Sequence, residues 1–413
     1  MRSLVAAFFV FMAPAPALAD AELLGQALDA VRAGQVEDAE RIATDLGPGT
    51  ARDIVTWHLL RAGTGSFEAY ETFLAQNPDW PGLPYLRARG EPAMPPGTDP
   101  ARVLAYFADQ PPETGAGVLA LAAALEASGQ PDAARAEVIR GWTNMVLTGD
   151  EAGALRSAHG ALLNSGSHHT DRLDHLLWEG AEDRARAMFP LVPEDWQALA
   201  AARLALQARA PGVDALIEAV PATLQDDPGL AYDRFIWRVR SGFWDTAGEL
   251  MAERSTSAES LGRPSAWADR RADLARDVMR EGEFDTCYTY AANHHVTPEA
   301  DYLAFAELEW LAGYCAYRLG RYDTAIGHFE PFRDTVFSPI SMGRAGYWLG
   351  RAHRAAGNDE AAARAFALGA QYQSSFYGQL AAEAGGLPAD PAFLADEDYG
   401  PWRNASFTGS SVF

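Results

Sequence analysis

A chain of 413 residues with 56 acidic and 33 basic side chains carries a formal charge of −23 at neutral pH. Counterion release from a nucleic-acid backbone needs basic clusters, and none is present, so nucleic acid is excluded as a partner. Every basic residue is arginine, which excludes a lysine Schiff base and a lysine-dependent phosphate loop.

Residues 1–19 read as a signal peptide. Met1-Arg2 is a positive start, Leu4 to Met12 is apolar, and Ala17-Leu18-Ala19 is a small-x-small cleavage site. The apolar run is far shorter than the roughly 20 residues of a membrane span, and no later run reaches that length. Asp20 follows the cut where a lipoprotein would have cysteine. The expectation is an exported, soluble, periplasmic protein with no membrane span.

Residues 20–90 read as N-terminal helical hairpins. Leu23, Leu24, Ala27 and Val31 form one apolar stripe, and Ala39, Ile42 and Leu46 the next. Gly90 to Pro100 is a proline-rich loop. Residues 101–254 continue as helices with degenerate repeats, with Trp142 and Met145 expected in the core. Ser255 to Pro264 reads as a polar linker. Residues 265–386 read as regular helical repeats, and 387–413 as a tail or linker leading toward a catalytic domain. No trustworthy alternation of period two suggests a strand.

One junction recurs seven times: a glycine, an acid three residues on, and a small residue two after that. It begins at Gly34, Gly129, Gly180, Gly242, Gly282, Gly320 and Gly357. Glycine ends a helix by adopting the left-handed backbone conformation. The acid suits the positive end of the next helix, and the small residue lets the two helices pack closely. From Gly242 onward the junctions fall roughly 40 residues apart, the period of stacked helical pairs. The expected fold is all-α: a superhelical, U- or ring-shaped solenoid of tandem hairpins, tetratricopeptide-like.

Gly343, Gly346 and Gly350 lie about one turn apart on a helix expected to be capped by Ser341, which predicts a close helix–helix crossing. Cys287 fills the small slot of its junction, and Cys315 lies on an apolar face with Leu308, Leu311 and Leu319. Counting along the helices puts Cys315 well past Cys287. Two buried thiols are therefore expected, with a disulfide as the alternative.

No catalytic, cofactor or metal residue is assigned. His168-His169 and His294-His295 lack metal-ligand spacing and read as capping or surface histidines. Asp226-Asp227 and Asp396-Glu397-Asp398 read as solvated charge. Trp237, Trp244, Trp310, Tyr347 and Trp348 could stack on sugars, but at helical spacing they read as core. Arg344 and Arg351 share a helix face. Pairing with acids of the neighbouring repeat is favoured over contact with a ligand carboxylate.

Residues 170–380 resemble the superhelical region of soluble lytic transglycosylases, which cleave peptidoglycan. The resemblance rests on Asp171-Arg-Leu-Asp-His-Leu-Leu-Trp178, on Trp267 to His294, and on Pro339-Ile-Ser341. It continues in Arg344-Ala-Gly-Tyr-Trp348-Leu-Gly-Arg351-Ala352 and Phe376-Tyr-Gly-Gln-Leu-Ala381. It implies a noncatalytic scaffold that positions glycan strands and a catalytic domain, with peptidoglycan glycan strands and cell-wall proteins as the partners to test. In that family a glutamate in a Glu-Ser motif acts as acid and then base. The lone Glu-Ser here, Glu259-Ser260, lacks the glycine-rich segment that follows it in the family. The resemblance therefore implies no lytic activity for this chain by itself. The competing reading is a periplasmic helical-repeat scaffold that binds a protein or peptide.

Overall fold

The computed structural model describes residues 17–391 and 400–409. Most of the expected signal peptide, and the Asp396-Glu397-Asp398 run, lie outside the described residues. Among those residues the fold is all-helical, a solenoid of successive hairpins, and there is no strand. No described helix is long and apolar enough to cross a membrane.

The chain forms two compact units that divide after His175. The first contains α1 (Ala17–Arg32), α2 (Val36–Asp45), α3 (Thr50–Ala62), α4 (Phe67–Gln76), α5 (Leu83–Gly90), α6 (Pro100–Tyr106), α7 (Gly115–Ala127), α8 (Pro131–Asn144) and α9 (Gly149–Leu163). Helix α10 (His168–Trp178) carries the division. The second unit contains α11 (Glu182–Ala187), α12 (Glu194–Ala208), α13 (Val213–Glu218), α14 (Pro228–Arg240), α15 (Trp244–Arg254) and α16 (Ala258–Leu261). It continues with α17 (Pro264–Glu281), α18 (Phe284–Ala292), α19 (Pro298–Arg318), α20 (Tyr322–Thr335), α21 (Pro339–Ala355), α22 (Asp359–Ala370) and α23 (Phe376–Gly385).

All seven predicted junctions are built alike. Their glycines have φ between 65° and 91°. The next residue bonds back five positions, as Glu283 N–H does to Val278 and Arg321 N–H to Ala316. This is the Schellman closure, and the same residue serves as N-cap of the following helix. The acid falls in the first helical turn each time. The small residues, from Ala39 to Ala362, are 0–2% exposed.

The glycines of α21 meet neighbours where a side chain would collide. A methyl on Gly343 would lie 2.6 Å from Ser375 Oγ, and one on Gly346 2.5 Å from Gly369 Cα. The cap of this helix is Ser338, not Ser341. Its hydroxyl accepts from Ser341 N–H, because Pro339 already occupies the first helical turn.

Cys287 and Cys315 form a disulfide, with Cα atoms 6.1 Å apart, against the expectation of two thiols. A tight turn would leave Cys315 about 18 Å beyond its partner. Instead, the chain between Ala292 and Pro298 is not helical. Those five residues carry the chain irregularly before α19 turns back, with His295 in the left-handed region at φ 52°, so a count made for a tight turn does not apply.

The expected linker is also a packed segment. Ser257 caps α16, and Leu261 and Ser255 are buried. In the first unit, buried Glu91 accepts from the N–H groups of Glu113 and Thr114 and from the Thr114 hydroxyl. It thereby closes the start of α7. Burial nevertheless pushes its carboxyl above the usual range.

Candidate functional site: a groove across the second unit

Three cavities in the second unit share walls. One of about 330 Å³ is lined by Trp178 and Gln207 and shares Tyr232, Ile236 and Arg240 with the next. That second cavity, of about 420 Å³, shares Asp269, Arg276 and Glu307 with a third of about 620 Å³. Together they form one groove crossing α10, α12, α14, α17, α19 and α21 in turn. With helices packed 8–10 Å apart, it is several sugar rings or peptide residues long.

The hairpin rhythm creates this surface. In the second unit α10, α14, α17, α19 and α21, each preceding a junction, supply groove-lining side chains, while the small residue at the start of each following helix is buried. Trp178 and Tyr232 stack with ring centroids 5.1 Å apart, giving one end an aromatic floor. Arg276 and Glu307 form an ion pair across the middle.

Arg344 lines the third cavity. Its guanidinium lies 3.7 Å from the centroid of the Trp310 ring. Burial pushes its pKa down to about 10, so it stays charged at neutral pH. Among the described residues no carboxylate lies within ion-pair distance of it, and its buried Nε has no hydrogen-bond partner. Arg351 donates to the Tyr347 and Tyr317 hydroxyls. Neither arginine therefore makes the acid pair expected of it. Both are held on aromatic side chains, Trp310 and Tyr317, of the preceding hairpin.

The other sequence candidates are distributed more widely. His294 is buried, correcting its reading as a surface histidine. Val296 N–H donates to its Nδ1, so Nε2 bears the hydrogen that faces Glu309 Oε1 at 3.1 Å. His328 Nδ1 lies 2.7 Å from the other oxygen of Glu309, and Tyr288 contacts the far side of His328. Burial raises the Glu309 pKa, but bonds to both histidines outweigh it and hold the carboxyl below its usual range. His169 instead contacts Asn164 and the Trp142 ring.

Asp227 is more than solvated charge. It caps α14 through Leu230 N–H and lies 3.7 Å from buried Arg203. Trp348 is core as expected, whereas Trp244 is 48% exposed. Glu259 is exposed. Its own backbone N–H and the Ser257 hydroxyl hold its carboxyl below the usual range, opposite to the shift a general acid requires.

The groove residues Asp301, Tyr302, Phe337 and Ser338 were not singled out from sequence. Phe337-Ser338-Pro339 was the available signal: an aromatic directly before a capped, proline-started helix, with no apolar periodicity to bury it.

No family model matches the sequence, and no curated protein matches it. Among solved structures, the chain aligns with the 70 kDa soluble lytic transglycosylase SLT70 of Escherichia coli at 14% identity and a TM-score of 0.37. The alignment covers 96% of this chain and 62% of that one, so this chain spans under two thirds of that enzyme's length. The complex of the 70 kDa enzyme with bulgecin A gives the same figures. The APC/C hetero-tetramer Cut9-Hcn1 aligns at 13% identity with a TM-score of 0.22, covering 86% of this chain and 87% of that chain.

Proposed function

We propose that this chain is the noncatalytic helical part of a periplasmic lytic transglycosylase, and that it holds peptidoglycan glycan strands in the groove of its second unit. On this reading residues 20–386 form the scaffold, and 387–413 lead toward a catalytic domain. The observation that carries it is the continuity of the three cavities, which suits a linear polymer better than a compact ligand. The groove also combines sugar-stacking rings with charged groups of both signs. The sequence strings around Arg344 and Phe376 add support, since α21 and α23 bring them together around Gly343, Ser375 and Gly378.

Co-sedimentation with purified sacculi tests this. The protein should pellet with sacculi and release no anhydromuropeptides. Protein left in the supernatant, or robust anhydro product, would refute the proposal.

A second reading, a scaffold for an extended peptide, is favoured by the apolar rim. Leu303 and Phe337, which line the third cavity, are 66% and 76% exposed and offer apolar contacts to peptide side chains. Retention of a periplasmic protein in preference to sacculi would select it.

A further inference from the structure

We infer that the cavity between α17, α19 and α21 is a carboxylate-binding subsite, with Arg344 as the anion partner and Trp310 as the platform that holds it. The ligand class is a single carboxylate on a neutral or zwitterionic sugar–peptide. Assigning that carboxylate to peptidoglycan rests on the strand-binding reading above. The subsite itself rests on geometry.

A half-buried guanidinium without a counter-charge is costly. Elsewhere in this unit Arg203 pairs with Asp233 and Arg276 with Glu307, while buried Arg271, whose Nε also lacks a partner, donates through its other nitrogens to the Tyr290 carbonyl and the Ser255 hydroxyl. Arg344 has the face of Trp310 instead, an attraction that offsets part of the cost while leaving its donors free. It lines a cavity of about 620 Å³, within the range of small-ligand sites.

The surroundings narrow the ligand. Ser338 and Ser341 bring hydroxyls and the start of α21, a 17-residue helix whose positive end favours an anion. Tyr302 and Phe337 stand at the rim, ring centroids 6.0 Å apart, and offer apolar faces. Asp269 and Asp301 line the same cavity. With Arg276 and Glu307 of the same lining paired to each other, these two acids leave Arg344, among the described residues of the lining, as the one cation open to an anion, which disfavours polyanions, and they can accept an ammonium from a zwitterion.

The test is calorimetric titration of the full chain with soluble disaccharide-peptides from sacculi, native and methyl-esterified. N-acetyl-dialanine and its C-terminal amide are titrated in parallel. Native fragments should bind about tenfold or more tighter than the esters, the scale of a charge-assisted hydrogen bond. Arg344→Gln should abolish that difference. Ser341→Asp, which places a competing carboxylate one turn before Arg344 on α21, should do the same and serves if Arg344→Gln misfolds. Equal binding of native and esterified fragments overturns the subsite and leaves strand binding standing. Carboxylate-dependent binding of the dipeptide, with no binding of fragments, upholds the subsite and overturns the strand reading. Binding of no probe overturns both.

Discussion

Arg203 Nε donates to Asp233 Oδ2 at 2.8 Å between α12 and α14, and both side chains are closed off from water. Gln207 also donates to Asp233, so the carboxylate has a full set of partners. Removing Asp233 leaves the buried Arg203 with only the longer 3.7 Å contact to Asp227. Asp233→Ala should cost about 3–5 kcal/mol in urea unfolding. Replacing both together by Met and Leu should cost less than Asp233→Ala alone, because no buried charge is left unpaired. A double variant weaker than the single one would show that the pair itself carries the stability.

The bond between Cys287 and Cys315 closes a segment of 28 residues. The chain-entropy relation gives about 3–4 kcal/mol for a loop of that size. The Cys287→Ala/Cys315→Ala variant should lose that much in urea unfolding, and dithiothreitol should reduce the wild type to the same level. Equal stability of oxidised and reduced protein would contradict this.

Two alanine substitutions inside helices should act in opposite directions. Gly346→Ala pushes a methyl into Gly369 of α22, and should cost about 1–3 kcal/mol or more. Gly327→Ala, in α20, meets nothing within 4 Å. It should stabilise by up to about 1 kcal/mol through helix propensity. Thermal melting of the two variants side by side checks both signs.

Acid should loosen the region around Glu309. Its folded pKa is depressed, so its ionised form adds stability above the ordinary carboxylate range. That contribution is lost as pH falls through the folded value. The stability difference between wild type and Glu309→Gln should therefore shrink as pH falls from the ordinary carboxylate range through the lower folded value. A difference constant across that range would remove Glu309 from the acid response.

The junctions were legible because glycine, acid and small residue each answer a local demand within six residues. The crossing at Gly346 was legible for a similar reason, since a helix tolerates such glycines where a neighbour comes close. Partnerships between distant residues were not. Arg203 and Asp233 stand 30 apart in sequence, and nothing local marks either as buried. The cysteines were misjudged because Asn293 to Thr297 forms an irregular five-residue link, with His295 at φ 52°, and no glycine marks that conformation. For Arg344, an acid was expected where the preceding hairpin supplies Trp310. A guanidinium accepts either neighbour, and the sequence pattern does not distinguish them.

The brevity of the elbows has a mechanical consequence. With only two or three residues between helices at each one, there is almost no slack, so a molecule stretched from its termini should yield in discrete force peaks as hairpins peel away. One extension step should fall short. The segment tied between Cys287 and Cys315 withholds 28 residues, roughly 90 Å of contour, until a reductant frees it.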